Sequence, residues 1–194
     1  MYIVPSIASA DYLNLRECID FADKEYGKLH LTIADGHFVP RITFGMRAAR
    51  QICEYSKAGI SFHMLVDDPV RYLEDIALCY PDIVFLHLAS MPYPLETLRR
   101  FRSRGLPVGL ALTPAESEEN LRYLLRETDA ILQMTNEPPE HEFLDTLRPK
   151  IDRLAATGMP LWLDGGITEA MAEGLKAQGA AALVMGSAIF RRKA

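Results

Sequence analysis

His30-Leu31-Thr32-Ile33-Ala34-Asp35-Gly36-His37-Phe38-Val39-Pro40 begins as an apolar, strand-like run and stops at an Asp-Gly pair. Near the other end a second apolar run stops at Asp164-Gly165-Gly166. A strand repeats its faces every two residues, so His30 and Thr32 point the same way. A buried strand carries such side chains only with partners, because an unpaired buried polar group costs several kcal/mol. Both segments therefore read as walls of a site at strand ends.

Working outward, the same kind of run recurs eight times: Ile3 to Ala8, Leu29 to Ala34, Ile60 to Val66, Ile83 to Ala89, Pro107 to Leu112, Ala130 to Met134, Pro160 to Leu163 and Ala182 to Met185. Continuous apolar runs are what parallel strands covered on both faces require. Helical patterns separate them over Leu13 to Tyr26, Gly45 to Tyr55, Val70 to Cys79, Leu95 to Arg104, Glu116 to Arg126, Phe143 to Thr157 and Glu169 to Gln178. Eight such alternations predict a small (β/α)8 TIM barrel, a single domain over residues 1–194. The competing doubly wound sheet has fewer strands and a glycine-rich first turn that this chain lacks. Few residues follow Phe190, so the last helix is expected to be missing or reduced to a turn. The flank left open is expected to be covered by the helix over Leu13 to Tyr26 or by another subunit, which makes a homo-oligomer the expectation.

Charge and composition exclude other classes. A net charge of −5 leaves no basic surface for nucleic acid. No apolar run approaches the ~20 residues of a membrane span, and no secretion signal is visible at the N-terminus. Cys18, Cys53 and Cys79 are sparse, odd in number and lack Cys-x-x-Cys spacing. Free thiols and a cytoplasmic location are expected from them.

Catalytic groups of a barrel sit at the C-terminal ends of its strands. Polar candidates there are Ser6, His30, Thr32, Asp35, His63, Asp67, His87, Thr113, Thr135, Asp164 and Ser187. His30, His63 and Asp164 come from three different strands. Two imidazoles and a carboxylate can hold a divalent metal (Zn, Fe, Mn or Co) and leave positions open for substrate. His87 reads instead as a satisfied core histidine, and His37 and His141 as surface loop residues. Gly165-Gly166 and Gly186-Ser187, after the seventh and eighth runs, fit the loops that frequently bind phosphate in such barrels. Each glycine also has the plainer reading of a tight turn.

Pro5-Ser6-Ile7, His30, Asp35-Gly36-His37-Phe38-Val39-Pro40, Thr43-Phe44-Gly45, His63, Asp164-Gly165-Gly166-Ile167 and Gly186-Ser187-Ala188-Ile189-Phe190 resemble the ribulose-phosphate 3-epimerase family along essentially the whole chain. The resemblance implies a (β/α)8 barrel and a sugar-phosphate substrate. It implies that two carboxylates move the proton at carbon 3 of a pentulose phosphate through an enediolate, beside a divalent metal. By position, His30, His63 and Asp164 would be metal ligands, and Asp164 also the catalytic acid/base. Ser6 would meet substrate, and Gly165, Gly166, Gly186 and Ser187 would hold its phosphate.

The chain departs from that pattern at four places. Thr32 stands where the family has its other catalytic Asp, and a neutral hydroxyl is a poor base. Glu137-Pro138-Pro139-Glu140-His141-Glu142 replaces a glycine-rich phosphate loop. Ala34 replaces a methionine, and Arg41 an asparagine. Asp35 is no substitute for the lost acid, because its odd spacing from His30 turns it to the other face. Three functions are compatible with these residues: a slowed or altered 3-epimerase, another sugar or sugar-phosphate isomerase or lyase using one carboxylate, or a non-catalytic relative that binds a sugar phosphate or a partner.

Overall fold

The computed structural model describes residues 1–138 and 142–190. Its strands are β1 (Tyr2–Pro5), β2 (Lys28–Ala34), β3 (Gly59–Leu65), β4 (Ile83–His87), β5 (Val108–Leu112), β6 (Ala130–Met134), β7 (Leu161–Asp164) and β8 (Ala180–Met185). They pair in parallel in the order β1-β8-β7-β6-β5-β4-β3-β2. The two ends of this sheet meet at a single parallel bridge between Ser6 and His30. The barrel is thus nearly closed, and its closure lies beside the candidate site.

Parallel neighbours require crossovers. These carry α1 (Leu15–Glu25), α2 (Met46–Tyr55), α3 (Leu73–Ala77), α4 (Pro94–Ser103), α5 (Arg148–Ala155) and α6 (Ala172–Ala177). After β8 the described residues end in α7 (Ser187–Phe190). One expected helix needs correction. The segment expected to be helical over Glu116 to Arg126 forms two short 3-10 turns, Glu118–Leu121 and Leu125–Glu127. Its buried apolar residues, Leu121 and Leu124, are three apart, the spacing of a 3-10 turn. The expected helix from Val70 likewise starts as a 3-10 turn, Pro69–Tyr72, before α3.

The core has two layers. Leu31, Ile33, Phe62, Leu110, Ile151 and Leu175 belong to the layer between strands and helices. A second cluster, including Leu65, Phe85, Ala111, Leu132 and Met134 with Trp162 against it, fills the barrel interior. The Phe85 and Trp162 rings lie 5.0 Å apart. Gly109 makes room for them: a Cβ there would sit 2.3 Å from Phe85 Cδ1. This plug leaves the C-terminal strand ends as the open end of the barrel. Cys18, Cys53 and Cys79 form no disulfide among the described residues.

Candidate active site

His30, His63 and Asp164 come together from β2, β3 and β7; His63 and Asp164 line a cleft, and His30 beside them is fully buried. Their nearest ligand atoms all lie within 4.8 Å of one another. His63 Nδ1 is 3.0 Å from Asp164 Oδ2. His30 Nε2 is 3.8 Å from the same oxygen, too long for a hydrogen bond. On its other side, His30 Nδ1 is 2.8 Å from Ser61 Oγ, the in-register neighbour on β3. Ser61 Oγ itself donates weakly to the Leu29 carbonyl at 3.4 Å, which leaves it to accept from Nδ1. The bare nitrogen of His30 is then Nε2, buried and without a hydrogen-bond partner among the described residues.

Burial dominates the electrostatics of both outer histidines. It pushes His30 down to about 4, against the opposing pull of Asp164. It also pushes His87 well below the usual imidazole value, helped by His63. Burial works to raise Asp164, but the His63 hydrogen bond and the nearby His30, His63 and Arg41 outweigh it and hold the carboxyl below its usual value. The cluster is therefore a neutral imidazole lone pair beside an ionised carboxylate.

The cleft is lined further by Ser6, Ser9, Thr32, Arg41, Thr43, Asn136, Gly165, Gly166, Gly186 and Ser187. Thr32 is half-buried and sits beside His63 in the β2–β3 register. Thr43 ties down this strand end: its Oγ1 donates to the Thr32 carbonyl at 2.6 Å and accepts from the Ala34 N–H at 2.9 Å. Arg41 is exposed at the cleft. Among the described residues its guanidinium forms no ion pair, and its charge reaches both Asp164 and Tyr12.

Asp35 is elsewhere. Its carboxylate accepts the N–H groups of His37 (2.8 Å), Phe38 (3.0 Å) and Asp67 (2.9 Å). It shapes the β2 and β3 loops and does not line the cleft. Gly165 and Gly166 both have positive φ, +122° and +66°. A Cβ on Gly165 would lie 2.0 Å from Asn136 Oδ1, and one on Gly186 would lie 2.2 Å from Ser9 Oγ. These two glycines thus serve close packing at the cleft wall whatever else they bind.

One expectation about the histidines holds in part. His87 is buried in the core, but only one of its ring nitrogens is satisfied. Its Nε2 lies 2.7 Å from His63 Nε2, and its Nδ1 has no partner among the described residues. Sequence reasoning also passed over Ser9 and Asn136, which follow β1 and β6 outside any strand periodicity. His37 is exposed as expected, whereas His141 lies outside the described residues.

A divalent metal, as the resemblance implies, fits these residues. The fit rests on the orphaned lone pair of His30, aimed at the carboxylate that His63 also faces. Two nitrogens and an oxygen of this kind suit Zn or another transition metal.

The sequence model of the ribulose-phosphate 3 epimerase family matches residues 2–190. Ribulose-phosphate 3-epimerase of Helicobacter pylori strain J99 is 29% identical over 202 residues, covering 100% of this chain and 92% of the relative. The Synechocystis protein of the same name is 32% identical over 199 residues, covering 97% and 86%. In structure, a tryptophan synthase alpha-subunit variant from Pyrococcus furiosus superposes with a TM-score of 0.76 at 16% identity, covering 98% of this chain and 88% of the other. N-(5'-phosphoribosyl)anthranilate isomerase from the same organism gives 0.66 at 16% identity, covering 97% and 89%. At such identities these structures speak for the barrel fold alone. No helix among the described residues is long and apolar enough to cross a membrane.

Proposed function

This chain belongs to the ribulose-phosphate 3-epimerase family, and from that membership we propose that it moves the proton at carbon 3 of a pentulose phosphate, chiefly on one face of the substrate. The observation that carries this reading is the convergence of His30, His63 and Asp164 at a cleft that His63 and Asp164 line, with the lone pair of His30 unspent among the described residues. His30, His63 and Asp164 would hold the divalent metal. When bound, it would supply a Lewis acid that stabilises negative charge developing on a substrate oxygen.

Asp164 is the only carboxylate of that cluster. It would take the carbon 3 proton, leaving the electron pair delocalised as the enediolate, and return it. The family's second carboxylate would protonate the opposite face. Thr32, a hydroxyl that stays protonated near neutral pH, is a poor replacement. Removal and return on the Asp164 side should therefore outpace inversion. Arg41, a cation at the cleft with no ion pair among the described residues, would draw in the phosphate together with Ser6, Gly165, Gly166, Gly186 and Ser187. The barrel over residues 1–194 would act as one unit, in the cytoplasm, as a homo-oligomer.

The test is exchange in deuterium oxide. Metal-loaded protein should incorporate deuterium at carbon 3 of ribulose phosphate faster than it forms the carbon 3 epimer. Exchange at carbon 1 instead would point to aldose–ketose isomerisation by one carboxylate. Absence of exchange anywhere, in folded and metal-loaded protein, would leave a binding role and overturn the proposal.

A further inference from the structure

His87 is a fully buried histidine that the proposed chemistry does not use. It ends β4, one strand beyond His63. Its Nε2 meets His63 Nε2 at 2.7 Å, with the ring centroids 4.9 Å apart. Phe38 packs against it with centroids 4.8 Å apart. Two imidazole nitrogens bound to one tetrahedral ion would stand about 3.3 Å apart, given metal–nitrogen bonds of about 2.0–2.1 Å. The observed separation is therefore a hydrogen bond and not a pair of co-ligands. One ring donates and the other accepts.

That bond has a consequence for His63. An imidazole has two nitrogens, and either could be turned to the site. Here Nε2 is held by β4, so Nδ1 is the nitrogen offered to Asp164 at 3.0 Å. We infer that His87 is a positioning residue: it fixes the ring of His63 so that Nδ1 faces Asp164 and the proposed metal. Its effect on metal affinity rests on the metal reading given above; the orientation of His63 does not.

The proton positions follow from the contacts. In the metal-free protein, His63 Nδ1 faces an acceptor-only carboxylate and so carries a proton. His63 Nε2 is then a bare acceptor, and His87 must donate its Nε2–H. This leaves His87 Nδ1 without a proton. In the metal-free protein the partnerless buried atom is thus an unfilled lone pair; with a metal on His63 Nδ1 the ring would keep its proton on Nε2 and donate to His87 Nε2, and the proton of His87 would move to Nδ1.

The experiment uses the full chain with 15N-labelled histidine, first free of metal, and reads ring tautomers from long-range proton–nitrogen spectra. His63 should carry its proton on Nδ1 and His87 on Nε2. Zn²⁺ affinity is then titrated in wild type, His87→Phe and His87→Gln. Phenylalanine fills the space without a partner for Nε2; glutamine restores one. In His87→Phe, the His63 signals should shift towards a mixture of tautomers, and Zn²⁺ affinity should fall about 10–100-fold, the usual effect of removing such a support. Glutamine should recover most of both. A wild-type His87 protonated on Nδ1 would overturn the inference, even if the phenylalanine variant fails to fold. So would a His63 tautomer and a Zn²⁺ affinity unmoved by His87→Phe. If no variant binds Zn²⁺ yet the His63 tautomer still follows His87, the metal reading fails and the positioning role stands.

Discussion

Lowering the pH of the metal-free protein should destabilise it through His30. The unfolded chain binds a proton on this imidazole at the ordinary value of 6.5, whereas the folded chain does so only at about 4. Between those values the unfolded state holds one more proton than the folded state. Stability therefore rises with pH across this window and falls on acidification. The slope is about 1.4 kcal/mol per pH unit for one proton, so the loss from His30 is about 3 kcal/mol by pH ~4. Because His30 is fully buried, solvent screening does not erode this figure as it would at the surface. His87 is shifted in the same direction by burial, and depressed carboxyls such as Asp35 and Glu118 add losses at the acidic end. The assay is therefore a difference: urea unfolding of wild type and His30→Leu from neutral pH downwards. The variant should lack one proton's worth of slope. Identical slopes would mean that His30 is not the neutral, desolvated base described above, and its readiness to ligate a metal would lose its physical basis.

Other perturbations act on the lost acid, the cleft cation and the interior plug. Thr32→Asp should restore the missing acid and raise epimer formation by about 10²–10⁴-fold, the range for one general acid–base group; an unchanged rate in folded, metal-loaded protein would count against the single-face mechanism. Arg41→Ala should raise KM for the phosphorylated substrate about 2–5-fold, as expected for one exposed charge pair, with kcat unchanged and the difference shrinking in salt. Gly109→Ala should cost about 1–3 kcal/mol by overpacking, because its methyl would press on the Phe85 ring; a neutral result in thermal unfolding would show that the interior plug is loose.

The barrel was legible because its strands are continuous apolar runs with few interruptions, and all eight fall where those runs lie. The stretch from Glu116 to Arg126 was not. Apolar residues three apart suit an α-helix and a 3-10 turn alike, and tertiary packing of Leu121 and Leu124 decided between them. At the site, His30, His63 and Asp164 could be found because the strand-end rule and the period of two place side chains without knowing their neighbours. His87 obeys the same rule, but its partner is another histidine on the adjacent strand. That contact depends on the β3–β4 register, in which His63 pairs with Phe85, two residues before His87. Two inward histidines at neighbouring strand ends were the available signal. Ser9 and Asn136 sit in loops, where no periodicity operates. Gly165 and Gly186 were readable as permissive backbone, yet the side chains pressed against them emerge only from the packing.

Anomalous diffraction from crystals loaded with Zn²⁺ or Co²⁺ decides whether His30, His63 and Asp164 form a metal centre. One strong peak is expected about 2.0–2.2 Å from His30 Nε2, His63 Nδ1 and an oxygen of Asp164. The contradicting result is no peak there, with the 3.0 Å contact between His63 and Asp164 still in place under saturating metal.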